Sequence, residues 1–266
     1  MRPIALFKPF PAGKMRADSV PTIAALPPAE DAAAALLASA ARRLARRDAK
    51  LGAVVRRAGP CRLRRQPGGF PRLFQAILRQ QLAAKAAETI TGRLLTALGG
   101  TALAELVATL DDAAFAAAGV SRQKREYLRG LAAASLAEPA LYDRLEHLPD
   151  EAVIAALTAI KGIGRWTADM YLIFVLGRLD VLPLGDLSIR AAMTALHGLR
   201  RETKPKRLMA LAEAWRPYRS VACWYLYRYL DGRPTRSTTK PAKPRKSTAK
   251  TKAKTRGRGE VDGKTY

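Results

Sequence analysis

The chain has 266 residues, 47 of them Lys or Arg against 22 Asp or Glu, for a net charge of +25. Hydrophobic residues make up 48%, enough to bury a core, which excludes a wholly disordered chain. No apolar run reaches the roughly 18–20 residues that span a bilayer, and the N-terminus lacks an apolar segment followed by a small-residue cleavage site, so neither a membrane span nor a signal peptide is expected. Two cysteines, Cys61 and Cys223, are too few for a disulfide framework or a four-thiolate zinc or iron–sulfur site. A reducing, cytoplasmic location is expected. The positive excess is far beyond what solubility needs and selects a polyanionic partner, nucleic acid before an anionic membrane.

In chain order, residues 1–28 are proline-bearing and aperiodic and read as an irregular leader; Met15 is an alternative start. Residues 29–231 are dominated by Ala and Leu, with little alternation of Val, Ile and Thr, and read as one compact all-α domain arranged in two lobes. Asp31 to Asp48 sets an Ala/Leu face against Arg42, Arg43, Arg46 and Arg47. Pro71 opens a helix with Phe74, Ile77 and Leu78 at core spacing. Ala83 to Leu98 forms a helix closed by Gly99 and Gly100. Ser121 caps a helix to about Ala137, and Asp150 caps Glu151 to Ile160. Arg165 to Leu176 follows closely, with its apolar run from Tyr171 buried. Further helices fit 187–197, 206–215 and 219–230. Residues 232–266 are built from Lys, Arg, Thr, Ala and Pro. Positions 233–266 alone carry twelve cations and two acids, a composition expected to stay disordered and to touch phosphates non-specifically.

The segment LTAIKGIGRWTADM, 157–170, carries the most information. It is an apolar helix, a tight turn with Gly162 and Gly164, and a second apolar helix. Glycine permits backbone angles that other residues avoid and lets a partner approach bare N–H groups. The second helix begins there, so its free N–H groups and dipole favour an anion, with a DNA phosphate the natural guest. Lys161, Gly162, Ile163, Gly164 and Arg165 are the candidate phosphate-binding residues. Without a ligand, the same residues make an ordinary helix–turn–helix corner. Further on, LGRLDVLPLGDLSIR breaks at Pro183 and Gly185 and places Asp186 at the head of the next helix, where a carboxylate is in the first instance an N-cap.

Together these features resemble the helix–hairpin–helix DNA glycosylase superfamily, nearest its 3-methyladenine DNA glycosylase II (alkylpurine) branch. AILRQQLAAKAA resembles that branch's glutamine-bearing loop. IKGIGRWTADMYLIFVLGRLDVLP resembles its hairpin and following helix, GDL its aspartate loop, and WRPYRSVACWYLYRYL its C-terminal signature. RRAGPCRL resembles the approach to the catalytic domain in compact members. The resemblance covers roughly 31–231.

The resemblance implies that Asp186 is the catalytic carboxylate, stabilising an oxocarbenium-like sugar and orienting water. Gly185 stands where many relatives carry a neighbouring acid. Relatives that also cut the strand use a lysine two positions after the second hairpin glycine; Trp166 occupies that place and cannot form an imine, so a monofunctional enzyme is implied. Members with an iron–sulfur cluster need four cysteines after the catalytic region, and only Cys223 lies there. A flipped alkylated purine is cationic and attracted to aromatic faces. Trp166, Tyr171, Trp224, Tyr225 and Tyr227 are the pocket candidates, Trp166 and Tyr227 foremost, with Met170 at a position where some relatives have Tyr. Core packing claims some of these aromatics. The wedge that fills the gap left by the base is Gln81, with Leu82 as the alternative; Gln80 and Gln81 could equally satisfy backbone groups at a helix break. His147 and His197 fall in no motif. The family's longer members begin with a β-rich domain, expected to be absent here. No cofactor is implied beyond a monovalent cation on hairpin backbone carbonyls, and the expected partner is double-stranded DNA with damaged bases, bound by a monomer. The competing readings are a helix–hairpin–helix protein that binds DNA without cutting it, and a histone-like protein acting through its tail.

Overall fold

The computed structural model describes residues 27–232, and among these the secondary structure is helical throughout. The tail reading at 233–266 and most of the leader lie outside the described residues. The order is α1 (Pro27–Arg47), α2 (Ala49–Ala58), α3 (Phe70–Arg79), α4 (Ala84–Ala97), α5 (Ala104–Thr109), α6 (Asp112–Ala118), α7 (Arg122–Ala137), α8 (Leu141–His147), α9 (Asp150–Thr158), α10 (Arg165–Phe174), α11 (Leu187–His197), α12 (Pro205–Ala212), a 3-10 turn (Glu213–Trp215) and α13 (Arg219–Asp231).

Two separate hydrophobic cores form. One is built by α3 to α10 around Phe74, Ile77, Leu78, Leu128, Leu131, Leu157 and Leu172. The other gathers α1, α2 and α11 to α13 around Leu44, Leu51, Ile189, Met193, Trp215, Tyr225 and Leu226. Each fully buried Leu, Ile or Phe in such a core is worth roughly 1.5–3 kcal/mol, so each lobe holds itself together mainly by burial. The first lobe is therefore inserted into the second. The chain crosses between them twice, over 59–69 and over 175–186, and Leu63 packs against both cores.

Several expected elements recur with local corrections. The first helix stops at Arg47 because the Asp48 carboxylate turns back to cap α2, accepting from Leu51 N at 3.0 Å. Ser121 caps α7 through Lys124 N. Asp150 is the first residue of α9 rather than its cap, a place held by Pro149. α10 ends at Phe174, and α1 begins at Pro27, just inside the stretch expected to be irregular. The helices α2, α5, α6 and α8 went unread. α5, α6 and α8 have six or seven residues, too few for an apolar period to repeat, and α2 is separated from α1 only by the single residue Asp48.

Candidate active site

The second crossing ends at Asp186, which is 6% exposed. Its two oxygens do different work. Oδ1 caps α11, accepting from Ser188 N at 2.7 Å and Ile189 N at 3.1 Å. Oδ2 accepts from the Trp166 indole N–H at 2.8 Å and the Tyr227 hydroxyl at 2.9 Å. The N-cap reading therefore accounts for one oxygen only, and the same carboxylate has lone pairs enough to accept from two side chains as well. The α11 dipole further favours negative charge here. Burial and the Asp186 charge push the Tyr227 hydroxyl far above its ordinary range, so it stays a donor. The flanking Gly185 and Leu187 are exposed, and they mark the edge from which a substrate could approach.

The other pocket candidates divide. Trp166 and Tyr227 are only half-buried and meet at Asp186. Tyr171 is a core residue whose hydroxyl accepts from Gly69 N at 3.2 Å, bracing the first crossing. Tyr225 is fully buried and donates to Gly59 O, at the other end of that crossing. Met170 is buried in the first core. Trp224 stands edge-on to Tyr225, with the Arg228 guanidinium 5.5 Å from its ring centre, so a protein cation already lies over it. Core packing therefore accounts for Tyr171 and Tyr225. Cys223 is buried on the same helix as Tyr227, and burial together with the charges of Asp186 and Asp169 raises its thiol strongly.

In the hairpin the two glycines have distinct reasons. Gly162 has φ +95°, and a Cβ there would lie 2.4 Å from the Tyr127 ring, so its constraint is internal. Gly164 caps α10, is exposed, and has nothing within 4 Å of a would-be Cβ. It is the glycine that leaves room for an outside partner. Ile163 corrects the expectation in part. Its side chain is a buried core peg and its N–H is used by Ile160 O, so it anchors the turn from within. Arg165 is also committed, with Glu151 at 2.9 and 3.2 Å and Asp169 at 3.1 Å. Lys161 is highly exposed and only 3.8 Å from Glu126, a weak surface pair.

The loop between α3 and α4 faces this hairpin. Gln80 Nε2 donates to Gly162 O at 2.8 Å, so Gln80 takes the structural role that the sequence left open. Gln81 is exposed and has φ +58°, the one non-glycine residue with positive φ among those described. Such a conformation is sparsely populated and needs support from its surroundings. Leu82 beside it is half-buried. Gln80, Gln81, Ser121, Gln123, Lys124, Tyr127 and the hairpin from Gly162 to Gly164 line a shallow groove of about 380 Å³.

The start of α13 holds the crossing that delivers Asp186. The buried Ser220 hydroxyl donates to Arg178 O at 2.7 Å and accepts from Val181 N at 3.0 Å. Arg219 grips Asp180 at 2.7 and 3.0 Å, and Arg216 reaches it at 2.7 Å. Sequence reasoning gave the aromatics of this segment a pocket role and its polar residues none; the polar residues hold the stretch of chain that leads to the carboxylate. No group of His, Cys, Asp and Glu able to hold a metal occurs among the described residues.

Residues 74–217 match the profile of the HhH-GPD superfamily of base excision DNA repair proteins, more than half of the chain. The chain is also 35% identical over 180 residues to DNA-3-methyladenine glycosylase 1 of Schizosaccharomyces pombe, covering 66% of this chain and 78% of that protein. It belongs to the HhH-GPD superfamily. The crystal structure of DNA-3-methyladenine glycosidase from Bacillus halodurans superposes with a TM-score of 0.64 at 38% identity, covering 71% of this chain and 88% of that one. The 3-methyladenine DNA glycosylase of S. pombe in complex with abasic DNA gives 0.65 at 32% identity, covering 73% and 97%. The HhH-GPD match takes in the loop at Gln81, the hairpin and Asp186 but stops before α13, so Tyr227 reaches the carboxylate from outside the matched segment.

Proposed function

We propose that this protein is a monofunctional DNA glycosylase that flips alkylated purines of the 3-methyladenine type out of double-stranded DNA and hydrolyses the N-glycosidic bond, leaving an abasic site. The observation that carries the reading is Asp186, a buried carboxylate held at a helix N-terminus by one donor from each lobe. Relatives named DNA-3-methyladenine glycosylases, and one solved with abasic DNA, support the substrate class.

In this mechanism the hairpin backbone at Gly164 and the head of α10 seat a phosphate beside the lesion, with Lys161 adding charge. Gln81, with Leu82 as second candidate, enters the gap left by the base. Trp166 and Tyr227 flank the cationic purine and hold Asp186 in place. As the bond to the base lengthens, Asp186 stabilises the positive sugar and receives the proton of the attacking water. An alkylated base is already a cation and leaves without a dedicated acid. Trp166 in place of an amine supports hydrolysis without strand cleavage.

The reaction as proposed needs no cofactor. A monovalent cation on hairpin carbonyls stays compatible with the turn, since Ile160 O and Gly162 O each accept one protein donor and keep a second lone pair. The chain has no membrane-crossing helix among the described residues. A monomer in the cytoplasm completes the proposal.

The test is base release from methylated duplex DNA by the native protein and by Asp186→Asn. Free methylpurine from the native protein alone, with strands intact until alkali and no adduct trapped by borohydride, is the expected result. Tight binding with no release by either protein would leave a DNA-binding module. Equal release by both would move the catalytic role off Asp186.

A further inference from the structure

Lys124, on α7, belongs to no motif and takes no part in the chemistry above. It is half-buried, yet among the described residues it forms no ion pair. Its ammonium donates instead to two main-chain carbonyls, Leu78 O in the last turn of α3 and Gln80 O at 2.8 Å, immediately before Gln81. Burial lowers its pKa, the sign of a cation held out of solvent. The next turn of α7 carries Tyr127, whose ring fills the space a side chain at Gly162 would need. Gln123 fixes that ring through its hydroxyl at 2.8 Å. Gln80 then joins the two loops through Gly162 O.

One face of α7 therefore carries both parts of the DNA-facing groove. Tyr127 supports the hairpin, and Lys124 fixes the carbonyl on the N-terminal side of Gln81, the one non-glycine residue with a left-handed backbone among those described. A residue at φ +58° in an exposed loop keeps that conformation only if its neighbours are fixed. We propose that Lys124 is a positioning residue for base extrusion: it locks the Gln80–Gln81 peptide so that the Gln81 side chain projects at a set distance from the phosphate-seating hairpin. This rests on the assignment of Gln81 as the wedge. A lysine that merely satisfies helix-end carbonyls would contribute stability alone. A positioning lysine matters most where the enzyme must drive a base out of the stack.

The experiment compares Lys124→Met, Gln81→Ala and the double variant under single turnover on two substrates. One is a matched duplex; the other carries the same lesion in an unpaired bulge, where extrusion costs least. Losing two carbonyl contacts of a charged donor should slow the matched duplex by about tenfold or more, with less than about threefold on the bulge. The double variant should lose little more than Gln81→Ala alone, because both changes remove one device. Amide hydrogen exchange at Leu82, whose N–H donates to Arg79 O across the Gln80–Gln81 peptide, should rise in the DNA-free Lys124→Met protein, while the melting temperature shows the rest folded. Equal losses on both substrates, or no loss on either, would overturn the proposal. Unchanged exchange at Leu82 would do so as well. If Gln81→Ala itself shows no preference between substrates, the wedge assignment fails, and the exchange result still reports separately whether Lys124 orders the loop.

Discussion

Trp166 and Tyr227 donate to the same oxygen, Oδ2 of Asp186, from helices that belong to different hydrophobic cores. The carboxylate is thus a junction between lobes as well as a chemical group. Hydrogen bonds to a charged acceptor are worth roughly 1.5–3 kcal/mol each, so both donors bear on where the carboxylate sits. Tyr227→Phe keeps the ring and removes only the hydroxyl. Its excision rate should fall by about tenfold to a hundredfold, with DNA affinity nearly unchanged, in single-turnover kinetics. A change confined to affinity would contradict this role. Because the Tyr227 hydroxyl is pushed upward, it stays protonated well past pH 10, so it should add no alkaline limb to the pH–rate profile.

The two hairpin glycines should separate folding from binding. Gly162→Ala puts a methyl group 2.4 Å from the Tyr127 ring at a positive φ, and a loss of roughly 2 kcal/mol or more is expected by chemical denaturation. Gly164→Ala meets no protein atom within 4 Å and should leave stability within about 0.5 kcal/mol of the native protein. In the proposed binding mode its methyl group occupies the phosphate seat, and DNA affinity should drop several-fold in a titration. Native-like affinity in Gly164→Ala would remove the phosphate from that amide.

Asp48 should make the second lobe acid-sensitive. Its carboxylate caps α2 and also accepts from His197 Nε2 and Trp215 Nε1, both at 2.9 Å. Despite burial, the His197 hydrogen bond, the Leu51 N–H and the Trp215 N–H together bring its pKa down to about 2 from 3.8. A lowered folded pKa contributes stability that is complete above about pH 4 and lost as pH falls toward 2. The amount is on the order of 1–2 kcal/mol after allowance for solvent. Urea titrations between pH 5 and 2 should show that loss in the native protein and a flatter dependence in Asp48→Asn. Parallel curves would show that another group governs the acid limb.

Ser220 tests the hold on the second crossing. Ser220→Ala leaves Arg178 O and Val181 N without their partner in a buried setting, a cost of about 1–3 kcal/mol. Since the crossing delivers Asp186, the excision rate should fall along with thermal stability. Full activity in the destabilised variant would mean that α11 alone sets the carboxylate.

Much of this protein was legible in the chain. Ala/Leu periodicity specified an all-helical fold, Ser121 and the glycines at 99 and 100 marked real helix ends, and the hairpin was visible as a glycine turn between apolar helices, while Asp186 read locally as an N-cap and became a candidate catalytic group only through the family resemblance. The helix ends and the turn are short-range effects, decided within a turn or two of backbone. Which aromatics serve the site was not decided locally. Trp166, Tyr171, Tyr225 and Tyr227 look alike in a helical segment. Only packing across the crossings turns Trp166 and Tyr227 toward Asp186, while Tyr171 and Tyr225 brace the chain at Gly69 and Gly59. The same holds for Lys124, whose partners lie 44 and 46 residues away, and for Arg165, a candidate phosphate contact that Glu151 of α9, 14 residues away, engages. Composition and periodicity fix which face of each helix is apolar. Where two cores meet, and which polar groups are then left to find each other, depends on contacts between segments far apart in sequence.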